Sequence, residues 1–298
     1  MSKKNIGYSI ALLTSLAYAV WYMGSAYVAS AVPNAYSILV PLLMIQLTSF
    51  IVLFALSKGK MRVKSRKALT YAVLSGVVFG VAGIVFYTLL RGGGVVIGSA
   101  FGSADVLVFS ALMLFHAKIK ISAPKYLFGA VLVSLGLALE TIKLSGGKIV
   151  FDPYMIGLGI LLSLLWGIAY FFLFLANRYK EEQKTSLILW VLITVALVYL
   201  CFILLLHGNI TFQIGSIEFL GLVIVLGLTL LLSFFLDITQ IRDLIPVGRS
   251  AVSVGYALSD LSLLPILVYA LFLYPKSWPS YVPGLVLITI GIILMDTS

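Results

Sequence analysis

Charge is what this chain has least of: only 10% of its 298 residues are Asp, Glu, Lys or Arg, against about a quarter in soluble domains. With 62% of residues hydrophobic, a soluble fold of this size has too few polar side chains to cover itself, so lipid must solvate much of it. A mean hydropathy of +1.16 agrees. The chain has one cysteine, Cys201, which excludes an intramolecular disulfide and a thiolate metal cage. Placed within an apolar run, it is expected to pack. His116 and His207 are the only histidines and stand near expected helix ends, so a His-clustered metalloenzyme or multi-His haem lacks its ligands. Acidic residues number 10 against 20 Lys and Arg, a net charge of +10. In a soluble protein that balance suggests nucleic acid, whereas in a membrane chain the positions of the cations decide.

What is present is a recurrence of apolar stretches of about 20 residues, the length a helix needs to cross a roughly 30 Å hydrocarbon core. Ten spans are expected, at 6–28, 35–57, 68–90, 95–115, 124–143, 154–177, 186–206, 217–240, 249–273 and 279–296. The first two share a charge-free stretch between Lys4 and Lys58, broken at Ala31-Val32-Pro33-Asn34, which reads as a helical hairpin. Lys3 and Lys4 ahead of an apolar run ending in Ala29-Ser30-Ala31 imitate a signal peptide, but the run outlasts a signal core and a retained helix is expected. If each span crosses once, all of the 20 basic residues except Arg91, Lys143, Lys148 and Lys276 fall on the side of the N-terminus. That asymmetry predicts both termini in the cytoplasm, with the plasma membrane of a prokaryote as the expected location, and it accounts for the net charge without nucleic acid. The Lys58 to Lys67 loop can also meet anionic headgroups of membrane lipids.

The two halves echo each other. Helix three ends Thr88-x-x-Arg91 and helix eight Thr239-x-x-Arg242; Gly129 and Gly136 in helix five match Gly284 and Gly291 in helix ten. Tyr18 to Tyr22 in helix one and Trp166 to Tyr170 in helix six hold similar offsets. Five helices per copy forces the second copy to enter the membrane from the opposite side, and inverted repeats are a transporter feature. The fold expected is therefore all-α and integral to the membrane, ten transmembrane helices as two inverted five-helix repeats, 1–147 and 148–298.

With these features the sequence resembles the drug/metabolite transporter superfamily, specifically its proteins with two EamA-type halves. The resemblance rests on the aromatics in helices one and six (Tyr18 or Trp21, and Trp166-Gly167), on Arg91 and Arg242, on Pro265 in helix nine and on the paired glycines. It covers nearly the whole chain. The chain departs from the pattern at 116–122 and 274–280, where many members carry Glu. The resemblance implies a central cavity lined by helices one, three, four, six, eight and nine that opens alternately to each side.

An acidic residue inside a span costs about 2.5–3.5 kcal/mol to insert and normally faces a bundle interior. Asp105, Asp237 and Asp260 qualify, as sites for a cation or a coupling proton, or as packing groups bonded to neighbours such as Asp260 to Tyr256. Glu140, Asp152, Glu181, Glu182, Glu218 and Asp296 lie near ends or loops and are expected to be solvated. Tyr18, Trp21 and Tyr22 share one face of helix one with Ser25, and Trp166 and Tyr170 repeat the step in helix six. Opposed aromatic faces can stack on a substrate or hold an organic cation, and can equally be packing. Tyr87 and Tyr256 are further cavity candidates.

Arg91 and Arg242 are expected to snorkel to headgroups. Arg91-Gly92-Gly93-Gly94 lacks a Walker lysine and reads as a tight hairpin, while Gly76-x3-Gly80 and Gly98-x3-Gly102 mark close helix approach. With no Lys or Arg expected mid-span, a site dedicated to sugar phosphates or nucleotide sugars lacks its cations. The expectation is a secondary carrier, an exporter of small zwitterionic or cationic metabolites such as amino acids or amines, with protons as a coupling ion at Asp105 or Asp260. It is expected to use no cofactor, metal or catalytic residue, since no His-rich, Ser/His/Asp or DxxD-type cluster is visible. The alternatives are a lipid or lipid-linked sugar flippase, or a sugar or nucleotide-sugar carrier of the same fold.

Overall fold

The computed structural model describes residues 3–117, 123–140, 142–145, 148–179, 181–211, 216–247, 249–260, 262, 265–266, 268 and 278–296. The helices are α1 (Lys3–Ala31), α2 (Leu39–Leu56), α3 (Arg66–Ser103), α4 (Asp105–Ala117), α5 (Ala123–Glu140), α6 (Pro153–Asn177), α7 (Lys184–Leu205), α8 (Ile217–Leu244), α9 (Arg249–Asp260) and α10 (Trp278–Asp296). Several start where a short polar side chain satisfies free backbone N–H groups. Ser65 accepts from the Ala68 amide at 3.3 Å, Ser216 from Phe219 at 3.4 Å, and Asp152 from Tyr154 and Met155, with Pro153 supplying the first helical residue.

Six helical stretches are long and apolar enough to cross a membrane: Lys3–Ala31, Tyr36–Leu56, Arg66–Gly92, Pro153–Asn177, Lys184–Leu205 and Ile217–Leu244. Ile97–Met113 and Val282–Gly291 are shorter apolar helices. The chain is a helical membrane protein, and its polarity is distributed accordingly. Its outer surface carries leucine, isoleucine and phenylalanine, among them Leu13, Leu16, Leu56, Leu205 and Ile217, whereas Ser25, Ser49, Ser75, Ser233, Gln46, Asp105 and Asp237 are buried. Lipid provides no hydrogen bonds, so polar side chains turn inward and apolar ones outward. Cys201 follows the second half of that rule: it is exposed on α7 rather than packed.

Two local features differ from expectation. Residues 142–145 and 148–151 pair as an antiparallel two-stranded hairpin, which places Lys143 and Lys148 on strands. Helical conformation also continues through Gly92–Gly94, although the chain does reverse direction there. A Cβ on Gly98 would touch the side chains of Leu90 and Phe86, which along a straight helix stand about 12 and 18 Å away. Gly92 meets Met155 near the start of α6, and Gly102 meets Trp166 farther along it, so the chain runs down α6 and then back up.

The same local contacts occur twice. A Cβ on Gly76 would meet the Val191 carbonyl and Thr194; one on Gly227 would meet the Ile45 carbonyl and Thr48. Arg91 donates to the carbonyls of Val32 and Pro33 at the end of α1 at 2.9 and 3.0 Å, and Arg242 donates to Asn177 at the end of α6 at 2.9 Å. The two arginines thus clamp helix ends instead of anchoring to headgroups. Tyr18 meets Tyr170, and Tyr22 meets Trp166, so α1 and α6 run antiparallel. Gly136 faces Gly284 and Gly291 faces Gly129, so α5 and α10 run antiparallel as well.

Loops tie the bundle at both ends. At one end Asn34 donates to the Asn209 carbonyl at 3.2 Å and Ser37 accepts from the Thr211 amide at 3.0 Å. At the other, the α2–α3 loop is held by α7: Ser186 donates to the Lys60 carbonyl at 3.1 Å and Trp190 to the Met61 carbonyl at 2.9 Å. Glu182 completes this second tie. It is only 3% exposed, not solvated as expected, and accepts from the amides of Lys64 at 3.0 Å and Ser65 at 2.6 Å, at the N-terminus of α3. A carboxylate is favoured there by the unpaired amides and the helix dipole. Glu182→Ala is expected to cost about 1.5–3 kcal/mol, the value of charge-assisted bonds, and to speed hydrogen exchange at Lys64 and Ser65 while leaving the amides of α5 unchanged. Unaltered exchange at those two amides would show that the loop is held without Glu182.

Candidate functional site

The three segments with aromatic faces meet near mid-length of their helices. α1 contributes Tyr18, Trp21 and Tyr22, α3 contributes Phe79, Phe86 and Tyr87, and α6 contributes Trp166 and Tyr170. Phe86 packs against both indoles, its centroid 5.1 Å from Trp21 in a stacked pair and 5.0 Å from Trp166. Trp21 and Trp166 are 6.3 Å apart, and Tyr22 packs edge-on to both Phe86 and Trp166. Phe79 meets Tyr170 and Phe234 edge-on at 4.9 and 5.3 Å. Such edge-to-face and offset pairs fix ring positions, each contributing about 0.5–1.5 kcal/mol beyond burial.

A glycine allows this density. A Cβ on Gly102 would meet the Tyr22 hydroxyl and the Trp166 ring, and any larger side chain there would fill the space between α1 and α6. Two residues later the helical run breaks. Ala104 is a turn residue and Asp105 begins α4, so the carboxyl stands at a helix N-terminus deep in the bundle.

The rings enclose a cavity. Its walls include Tyr18, Trp21 and Tyr22 of α1, Gln46 of α2, Tyr87 of α3, Asp105 of α4, Trp166 and Tyr170 of α6 and Tyr199 of α7. The space open to the centres of water molecules is about 50 Å³, and one water needs roughly 10–15 Å³ by that measure. In this conformation the chamber therefore accepts a few waters or one small polar group.

Three buried polar atoms on its walls have no hydrogen-bond partner: the Trp21 Nε1, the Gln46 Oε1 and the Asp105 Oδ1. Asp105 is 1% exposed, and its other oxygen accepts from the Tyr256 hydroxyl at 2.7 Å. Nearly all buried polar groups in proteins are paired, so three orphans on one cavity mark a place for polar ligand atoms or water. One donor and two acceptors suit a guest that carries both N–H groups and an accepting oxygen.

Behind the wall lies a second buried acid. Asp237 of α8 is 2% exposed and accepts a hydrogen bond from the Tyr18 hydroxyl, which also bonds the Tyr170 hydroxyl. Tyr170 in turn packs edge-on to Tyr256, centroids 4.9 Å apart. Tyr87 donates to Ser25 at 2.8 Å. The sequence candidates Tyr18, Trp21, Tyr22, Tyr87, Asp105, Trp166 and Tyr170 thus line one cavity, with Asp237 and Tyr256 bonded to its wall. Asp260 is the last residue of α9, and its side chain lies outside the described residues; Tyr256 has Asp105 as its acceptor. Sequence reasoning missed Gln46, Phe79, Phe86 and Tyr199. Gln46 carried a usable signal, because an amide within an otherwise apolar span is costly unless it faces the interior.

No protein-family model and no curated protein matches the chain. A solved structure, titled only "Crystal structure of protein", matches at 15% identity with a TM-score of 0.58, over 96% of each chain. The likeness is one of fold and extends over nearly the whole length.

Proposed function

We propose that this protein is a secondary transporter of small cationic or zwitterionic organic molecules, working by alternating access around the aromatic chamber. The observation that carries the proposal is the set of orphaned polar atoms of Trp21, Gln46 and Asp105 on a ring-lined cavity at mid-bundle. An ammonium group gains from the Asp105 carboxylate and from the faces of Trp21, Trp166 and Tyr22 through cation–π attraction, about 2 kcal/mol when desolvated. The indole N–H of Trp21 is free to donate to a carboxylate of a zwitterion.

The architecture we assign is ten spans in two inverted five-helix halves of the EamA type, 1–147 and 148–298. It is supported by the paired contacts of Gly76 with Gly227 and of Arg91 with Arg242, and by the antiparallel pairs α1 with α6 and α5 with α10. Two ties at opposite ends of the bundle suit alternating access, in which one opens while the other holds. The basic end, with Lys58 to Lys67, Arg178 and Arg242, is assigned to the cytoplasm together with both termini.

The test is transport by the purified chain in proteoliposomes, with radiolabelled amino acids and 2-phenylethylammonium as probes, with and without an imposed pH gradient. Saturable flux of at least one amine or amino acid is expected, accompanied by reaction of cysteine labels in the 58–67 loop from the cytosolic side alone. Flux of lipid analogues with none of these solutes would replace the carrier of solutes by a flippase.

A further inference from the structure

Asp237 stands out when the two halves are set in the register of the proposed repeats. Gly76 matches Gly227 and Arg91 matches Arg242, which aligns Phe86 with Asp237: each is ten residues after its glycine and five before its arginine. In the first half that position is an aromatic ring packed against both Trp21 and Trp166. In the second half it is a carboxyl group, buried to 2% exposure. The packing role of the position is met once, by Phe86, and in the other copy an acid that is costly to insert in a membrane replaces it.

The neighbours of Asp237 offer no fixed positive charge among the described residues. From α1 it faces Tyr18, and through Tyr18 it reaches Tyr170 of α6. Tyr256 of α9 lies against Tyr170 and donates to Asp105 of α4 at 2.7 Å. α2 contributes the neutral amide of Gln46 to the chamber. At the end of α8, Arg242 donates through Nε to Asn177 while its buried Nη2 has no partner, and Lys184 of α7 bonds Thr239; Asp243 lies beyond them at the same end. Two buried carboxyls, Asp105 on the cavity wall and Asp237 behind it, repel when both are charged, and a proton on one of them relieves that repulsion.

The hydroxyl chain gives that proton a path. With Asp237 ionised, Tyr170 donates to Tyr18 and Tyr18 donates to Asp237. With Asp237 protonated, the carboxyl O–H donates to Tyr18 and Tyr18 to Tyr170, and either hydroxyl can be the donor in the bond between the tyrosines. The two orientations interconvert when a proton enters from water at Tyr170, which lines the cavity, and passes along the chain to Asp237. No other atom has to move far.

We infer that Asp237, with Tyr18 and Tyr170, is a proton site distinct from the cation-recognising carboxylate Asp105, and that one proton leaves it for each organic cation that enters the chamber. The exchange stoichiometry rests on the transporter reading; the proton site itself does not. The balance is an O–H bond broken at Asp237, its proton delivered through the hydroxyls to cavity water and on to bulk water, and an ammonium ion taken up in its place. The net charge of the chamber is unchanged.

The experiment has two arms on the full chain in lipid nanodiscs. Infrared pH titration in the absence of any substrate is expected to show a carboxyl C=O stretch that disappears as pH rises, is missing from Asp237→Asn, persists in Asp105→Asn and shifts in frequency in Tyr18→Phe, which keeps the acid but removes its hydrogen bond. A titrating band that survives unchanged in Asp237→Asn and in Tyr18→Phe overturns the proton site. In the second arm 2-phenylethylammonium is added in weak buffer while indole fluorescence reports binding. About one proton released per amine bound is expected from the wild type and none from Asp237→Asn. Equal release from both overturns the exchange. No fluorescence response with the infrared result intact leaves the proton site standing and counts against the choice of substrate class.

Discussion

Asp105→Asn is expected to weaken binding of an organic ammonium ion by about 30-fold to several-thousand-fold, equivalent to roughly 2–5 kcal/mol for removing one partner of a buried charge pair. The size of the effect follows from where the carboxyl sits. It is 1% exposed, one oxygen is held by Tyr256 at 2.7 Å and the other faces the cavity with no partner. Asparagine has nearly the same shape and keeps a carbonyl for the Tyr256 hydroxyl, so the fold is retained while the charge is lost. Tyr256→Phe leaves the charge and removes only its positioning bond, so a smaller loss of about 1–3 kcal/mol is expected. Trp21 and Trp166 line the same cavity, which makes quenching of indole fluorescence by 2-phenylethylammonium a direct titration. An Asp105→Asn protein that binds the amine as tightly as the wild type would remove Asp105 from recognition.

Much of the fold is legible in the sequence because lipid imposes a simple rule, an apolar length of about 20 residues per crossing. Six helices satisfy it outright. The hydrophobic pattern is blind to helix breaks, however: Ala104 interrupts the helix at Asp105 within a run whose composition is that of an unbroken span. For the site, helical spacing alone puts Tyr18, Trp21 and Tyr22 on one face and Trp166 with Tyr170 on another, and the structure brings these faces together. Spacing does not say which partner a polar group will find. Arg91 and Arg242 sit where both snorkelling and clamping arginines sit, and only the carbonyls of Val32 and Pro33 and the amide of Asn177 distinguish the two. Glu182 lies in a charged loop like its neighbour Glu181, yet it is buried because the start of α3 lies across from it. Gln46 is less conspicuous than the acids, because a neutral amide leaves no trace in the charge pattern of a span.

Gly136→Val and Gly291→Val are expected to be the most damaging packing substitutions, each lowering the thermal midpoint by many degrees and by similar amounts. A Cβ on Gly136 would stand 2.5 Å from the Gly284 carbonyl oxygen and 2.9 Å from the Ile288 nitrogen; one on Gly291 would stand 2.6 Å from the Gly129 oxygen and 2.8 Å from the Val133 nitrogen. These obstacles are backbone atoms, which cannot swing aside as a side-chain tip can, so α5 and α10 must part along their shared length. Overpacking usually costs about 1–3 kcal/mol where side chains can adjust, and here the cost is expected at or above the top of that range. Alanine at either site is expected to destabilise as well, since the backbone clash outweighs the roughly 1 kcal/mol that alanine gains over glycine in a helix. Gly157→Ala in α6 isolates that gain, because nothing lies within 4 Å of its added Cβ, and it is expected to leave the midpoint unchanged or slightly raised. Gly136→Val and Gly291→Val meet the same interface from its two ends, so the double variant is expected to lose less than the sum of the singles. Detergent-solubilised midpoints measured side by side decide the matter. Wild-type stability in both single variants would mean that α5 and α10 do not approach each other through their glycines.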